Sequence, residues 1–191
     1  MKKTTATIAA LCVAFTASAS ADNAKSAQKA DASKSSEAAP KTADKQAKWP
    51  AYRGKSFQVS YPVGWKAQPL EAKTAKESNA ATFTSPDGAM QLYIFSPQWD
   101  GEPPGIELDA AKETETAKKT DRGMSSGVQG TFTWTTIAAK DKSYTRAYQS
   151  FKAKEEPIHW VIGMKYKDDA ALAKYRADYA RFKGSLEQFA D

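Results

Sequence analysis

An α+β domain, built on an antiparallel sheet of about six strands flanked by helices, is the fold class this sequence predicts. Three observations carry the prediction. Short apolar runs end on turn residues, as in FQVSYPVGW from Phe57 to Trp65 and in the two runs on either side of Pro86-Asp87-Gly88. Three further strand-like runs follow one another across short polar connections, which suits an antiparallel meander. The chain then closes on a segment in which Leu172, Tyr175, Tyr179, Phe182 and Leu186 recur at helical spacing.

Residues 1–21 read as a secretion signal. Lys2 and Lys3 precede an apolar run from Ala6 to Ala17 that is too short to span a bilayer, and Ala19-Ser20-Ala21 supplies a cleavage site. Cys12 is the single cysteine and lies inside this run. It follows Leu11, where a lipid-modified signal needs a small residue, so a lipid anchor is disfavoured and the mature chain carries no thiol. Disulfides, thiol catalysis and thiolate metal sites are thereby excluded. The implied location is the periplasm or the exterior. Residues 22–48 are rich in Ala, Lys and Ser and hold no aromatic residue and no large aliphatic one. Such a stretch buries too little apolar surface to offset its ordering entropy, which predicts a disordered tether with a reach of about 30 Å. A single domain is expected over 49–191, starting at Trp49-Pro50. The whole chain carries +6, but without the signal and tether the balance is only +2. No arginine-rich run or aromatic-basic alternation accompanies it, so a nucleic-acid footprint is not predicted.

Within the domain, Phe57, Val59 and Tyr61 alternate with polar residues as in a half-buried strand, which Pro62 and Gly64 stop before Trp65. Trp65 is read as a core anchor rather than a ligand platform. Ala81–Ser85 and Ala89–Phe95 form a hairpin. Met90, Leu92 and Ile94 point one way on its second arm, Tyr93 and Phe95 the other, so both sheet faces should be covered. A helix is predicted over Ile106–Thr120 on a weak stripe of Ile106, Ala110 and Ala117. Strands follow at Thr131–Ala139, Ser143–Lys152 and Ile158–Tyr166. The last helix is capped by Asp168 or Asp169 and ended or weakened by Gly184.

Catalytic chemistry finds little support. His159 is the sole histidine, and strand alternation sets it on the face opposite Ile158, Trp160 and Ile162. No GxSxG elbow accompanies it, and Ser125-Ser126 sit in a loop. The pairs Glu155-Glu156 and Asp168-Asp169 lack calcium-loop spacing and suit a turn and a helix cap. No phosphate loop is visible, and no metal or cofactor is predicted.

The opening strand ending in YPVGW, the TSPDG hairpin, the aromatic meander and the closing YRADYARFKGSLEQF helix resemble the PsbP-like fold. That group includes an extrinsic subunit of the photosynthetic water-oxidising complex, a Ran-binding import factor and DcrB-like bacterial envelope domains. The resemblance covers 49–191 and implies a non-catalytic role in docking to larger assemblies. It transfers no binding residues. From the residues themselves, the best recognition surface is the loop Ser96–Gly105, where Trp99 stands beside Asp100 and Glu102 among prolines and glycines that limit its shapes. The alternative is that Trp99 folds back over a sheet edge. Arg122 and Met124 open a second loop, GMSSG, expected to be mobile. Three functions remain. The first is an envelope accessory domain binding a protein partner, with an exposed apolar patch. The second is a carrier of a lipid or apolar ligand, with a cavity lined by Tyr93, Phe95, Phe132 and Trp134. The third is a hydrolase dependent on His159.

Overall fold

The computed structural model describes residues 48–97 and 101–189. The predicted signal, the tether up to Ala47, and the loop residues Gln98, Trp99 and Asp100 lie outside the described residues.

The chain enters through β1 (Ala51–Arg53) and β2 (Phe57–Ser60), which pair antiparallel. Phe57 and Val59 are fully buried and their neighbours are not, the predicted alternation. Gly64 takes a positive φ of 83° after Pro62, and the strand has ended before Trp65, which is buried against Tyr175 at 5.2 Å. β3 (Lys66–Leu70) follows, then a 3-10 turn at Ala75–Glu77 and a hairpin of β4 (Ala80–Thr84) and β5 (Met90–Phe95) around Pro86-Asp87-Gly88.

The predicted helix over Ile106–Thr120 does not form. Residues 101–112 lie outside helix and strand, and β6 (Glu113–Ser125) pairs along its length with β7 (Val128–Ala139). The Ala, Lys and Glu content favours a helix only weakly. Pairing of Thr114, Ala117, Lys118 and Thr120 with a threonine-rich partner overrides it. The GMSSG segment is part of this hairpin. Ser126 (φ 51°) and Gly127 (φ 83°) form a two-residue turn with positive φ at both positions, the geometry that matches the twist of paired strands. β8 (Thr145–Ala153) and β9 (His159–Tyr166) complete the meander close to the predicted bounds.

α1 (Asp169–Gly184) starts at Asp168, whose side chain accepts from the Ala171 amide at 2.9 Å, and stops where Ser185 caps the Phe182 carbonyl. A two-residue β10 (Glu187–Gln188) then pairs with β2. Among the described residues, the expected sheet of about six strands flanked by helices is therefore a seven-stranded antiparallel sheet in the order β3-β4-β5-β9-β8-β7-β6, a three-stranded sheet β1-β2-β10, and one α-helix.

Two meanders, β3 to β5 and β6 to β9, meet at the seam between β5 and β9. After β5 the chain crosses four strand spacings, about 19 Å, to begin β6 at the far edge. On one face Met90, Leu92, Ile94, Phe151, Trp160 and Ile162 pack against the small sheet and against Tyr175 and Phe182 of α1. On the other, Ala80, Tyr93, Phe95 and Val161 are covered by Leu70, Ile106 and Tyr148. Both faces of β5 are covered, as its sequence requires.

Candidate interaction surface

β6 ends the seven-stranded sheet, and its outer edge has no strand partner among the described residues. It is 13 residues long, and Thr114 to Arg122 are all exposed. The opposite edge, β3, is five residues long and carries Pro69, which cannot donate to a further strand. Among the described residues, only β6 therefore offers an extended, proline-free row of outward backbone groups. Its charges lie in solvent: Lys119 reaches Asp121, Lys118 approaches Glu115 at 4.0 Å, and Arg122 has no ion pair among the described residues.

Behind this edge the helix-covered face continues as a row of aromatic rings. Trp134 stacks on Phe132 at 5.7 Å, Phe132 touches Phe151 at 4.9 Å, and Phe151 stacks on Trp160 at 5.9 Å. Burial falls along the row, from Phe151 at 0% exposed to Trp134 at 37%. Lys119 lies 5.6 Å over the Trp134 ring. Glycines make the row possible. A Cβ on Gly123 would fall 2.8 Å from the Phe132 ring, and one on Gly130 would fall 2.5 Å from Phe151.

The opposite face carries a polar cleft of about 480 Å³ beneath the strap over residues 101–112. Its centre is Arg146, buried with Glu113 and ion-paired to it. The Arg146 guanidinium donates to the Gly105 carbonyl (3.2 Å), the Glu107 carbonyl (3.0 Å) and the Tyr148 hydroxyl (3.1 Å). Tyr93 donates to the Pro104 carbonyl at 3.1 Å, and Tyr144 to Glu113 at 2.7 Å. Burial pushes the Glu113 carboxyl up, but the donors Tyr144, the Asp109 amide and Arg146 together hold it below its ordinary range. Burial raises Tyr93 well above the ordinary phenol value and raises Tyr148, against the pull of Arg146. Two of the Arg146 bonds and the Tyr93 bond thus hold the strap, while the Arg146 Nε is buried with no hydrogen-bond partner.

No family model matches the chain, and no curated protein matches it in sequence. Solved structures do match. The solution structure of cyanobacterial PsbP (CyanoP) from Synechocystis sp. PCC 6803 superposes with a TM-score of 0.51 over 81% of this chain and 99% of that one, at 8% identity. This chain has the PsbP-like fold. A Bacteroides thetaiotaomicron protein is more distant, with a TM-score of 0.37, 11% identity, and coverage of 76% of this chain and 50% of that one.

The PsbP-like domain separates the residues that the sequence singles out. Trp99 and Asp100 lie outside the described residues. Glu102 is exposed and lines a groove with Glu71, Glu77 and Pro97 at the β3 side of the sheet. Arg122 and Met124 stand at the tip of the β6–β7 hairpin, at the other edge, where Met124 is 62% exposed. Among the described residues, Glu102 of the first loop lies apart from Arg122 and Met124, and the second loop is a hairpin tip. His159 is half-buried with its ring edge-on to Phe95 at 5.6 Å. Ser125 accepts from the Trp160 indole at 3.3 Å, on the face opposite His159. Tyr93 and Phe95 lie under the strap, whereas Phe132 and Trp134 belong to the other face. Among the described residues no cluster of His, Cys, Asp and Glu has metal-site geometry, and no helix is long and apolar enough to cross a membrane.

What sequence reasoning missed is β6 with its aromatic backing. The alternation that betrays a strand needs one buried face, and this strand is exposed on both from Thr114 to Arg122. The available signal was the Ser126-Gly127 pair between two threonine-rich runs.

Proposed function

We propose that this PsbP-like domain is a non-catalytic accessory module of the cell envelope that binds a protein partner through the β6–β7 hairpin. The proposal includes secretion by the N-terminal signal, spacing by the residue 22–48 tether, and the finer kinship with DcrB-like envelope domains. One observation carries it: the long unpaired edge of β6 runs beside a half-exposed aromatic row ending in Trp134. Exposed tryptophan next to open backbone groups supplies both an anchor and a template for a partner. His159 and Ser125, on opposite faces, give no support to a hydrolase, and the four aromatic residues of a lipid cavity fall in two separate clusters.

The test is site-specific photo-crosslinking in the native host. A benzophenone amino acid replaces Trp134 or Thr120, with Val63, exposed but off the hairpin, as control. The expected result is one protein, identified by mass spectrometry, captured from both hairpin positions, not from Val63, and lost on Lys118→Glu/Lys119→Glu. Equal capture from Val63, lipid adducts, or no adduct from either hairpin position would overturn the proposal.

A further inference from the structure

If β6 is a docking edge, its charges decide what can dock. A second copy of this chain is the first occupant to consider, because an open strand can pair with itself. Antiparallel self-pairing uses a two-fold axis normal to the sheet, which keeps every side chain on its own face, so residues directly opposite have the same parity. With the axis at Lys118, Lys119, Asp121 or Arg122, that residue meets its own copy. With the axis at Thr120, Lys118 meets Arg122, and only the Lys119–Asp121 pairs on the other face offset this. Every register centred on this run sets like charges directly opposite, which is destabilising. Registers centred nearer the start must cross the bulge between Glu115 and Ala117, and those centred on Gly123 or Met124, free of like-charge pairs, overlap at most the five residues 121–125 of β6.

We infer that β6 accepts an acidic extended segment of a different protein, added antiparallel as an eighth strand. The inference rests on the docking reading above and gives the partner's chemistry. Lys118 and Arg122 project on one face and Lys119 on the other, all exposed. Carboxylates opposite these three would replace exposed pairs of small worth, Lys119 to Asp121 and Lys118 to Glu115. A hydroxyl or a base suits the place opposite Asp121. Gly123 has no side chain and lies under the half-buried Phe132 ring, so an apolar side chain opposite it would rest on that ring. Lys154 shares the groove of Arg122 and Met124 at the hairpin tip and adds a further cation. The charges that exclude a second copy therefore select a strand of opposite charge.

The experiment titrates the full chain with a fluorescein-labelled peptide TVETTEET, which places glutamates opposite Arg122, Lys119 and Lys118 and valine opposite Gly123. The control is TVKTTKKT. Expected are saturable binding of the acidic peptide at least tenfold tighter than the basic one, slowed amide exchange confined to β6, and reversed preference in Lys118→Glu/Lys119→Glu/Arg122→Glu. Equal binding of both peptides, no binding of the acidic one, slowed exchange in the strap instead of β6, or a dimer through β6 in sedimentation would each overturn it. A captured cellular partner with no peptide preference leaves docking standing and removes strand addition. Peptide preference with no captured protein does the reverse.

Discussion

Arg146 and Glu113 are buried charges that hold each other and the strap. Arg146→Leu would strand the Glu113 carboxylate in the interior, a loss of about 3–5 kcal/mol in urea unfolding, and the double variant with Glu113→Leu should recover much of it. Because the folded carboxyl is held below its ordinary value, its contribution is present above about pH 4.5 and is lost as pH falls further. Arg146→Lys keeps the charge but loses the fork that binds two strap carbonyls, so strap amides should exchange faster while the meander's stay protected. Gly130 is as constrained by packing: a Cβ there meets the Lys152 carbonyl at 2.4 Å as well as the Phe151 ring. Gly130→Ala should destabilise by about 1–3 kcal/mol and open the aromatic row, read as a lower urea midpoint.

At the scale of elements, the β4–β5 turn and α1 are tied through one carboxylate. Asp87 accepts from Lys174 (2.8 Å), Ser85 (2.7 Å), the Ala89 amide (3.0 Å) and Tyr175 (2.8 Å). The Lys174 bond first, then the others, holds Asp87 far below the ordinary carboxylate value. Its stabilising effect is therefore complete above the unfolded value near 3.8 and fades as pH drops below it. Asp87→Asn should lower stability at neutral pH and flatten the acid limb of a stability-against-pH curve below that point. The PDG hairpin was legible from its turn residues between two short apolar runs, and the closing helix because it buries one face and so prints its period on the sequence. Phe182, fully buried and 5.2 Å from Phe83, marks the helix stripe as clearly in space as in sequence. β6 was not legible, since nothing on it is buried between Thr114 and Arg122 to set a period. Neither was the seam of β5 with β9, because Ile94 and Ile162 meet only after the intervening chain has folded.

In the whole molecule, that seam joins two local meanders across a long sequence separation, which predicts folding in the millisecond-to-second range rather than faster. Substitutions within β7 and β8 should slow refolding, and Ile94→Val at the seam should mainly speed unfolding, in stopped-flow chevrons. Of the candidate site, Arg122 and Met124 came from sequence as isolated exposed residues. The edge that gives them neighbours is a property of strand order, which no local pattern encodes. The short sheet β1-β2-β10 gathers the entry and exit of the domain at one place, since Ala51 lies opposite Ser60 and Gln188 opposite Phe57. A pull applied through the preceding chain first meets the Trp49 ring under Arg181 and the Pro50 carbonyl bonded to the Tyr61 amide, then peels β1 from β2 one rung at a time, since the two form a hairpin loaded from its open end. Three residues of β1 would yield before the seven-stranded sheet bears any load. Stretching at this end would therefore begin in the small sheet and leave the β6 edge, which belongs to the other sheet, in its shape.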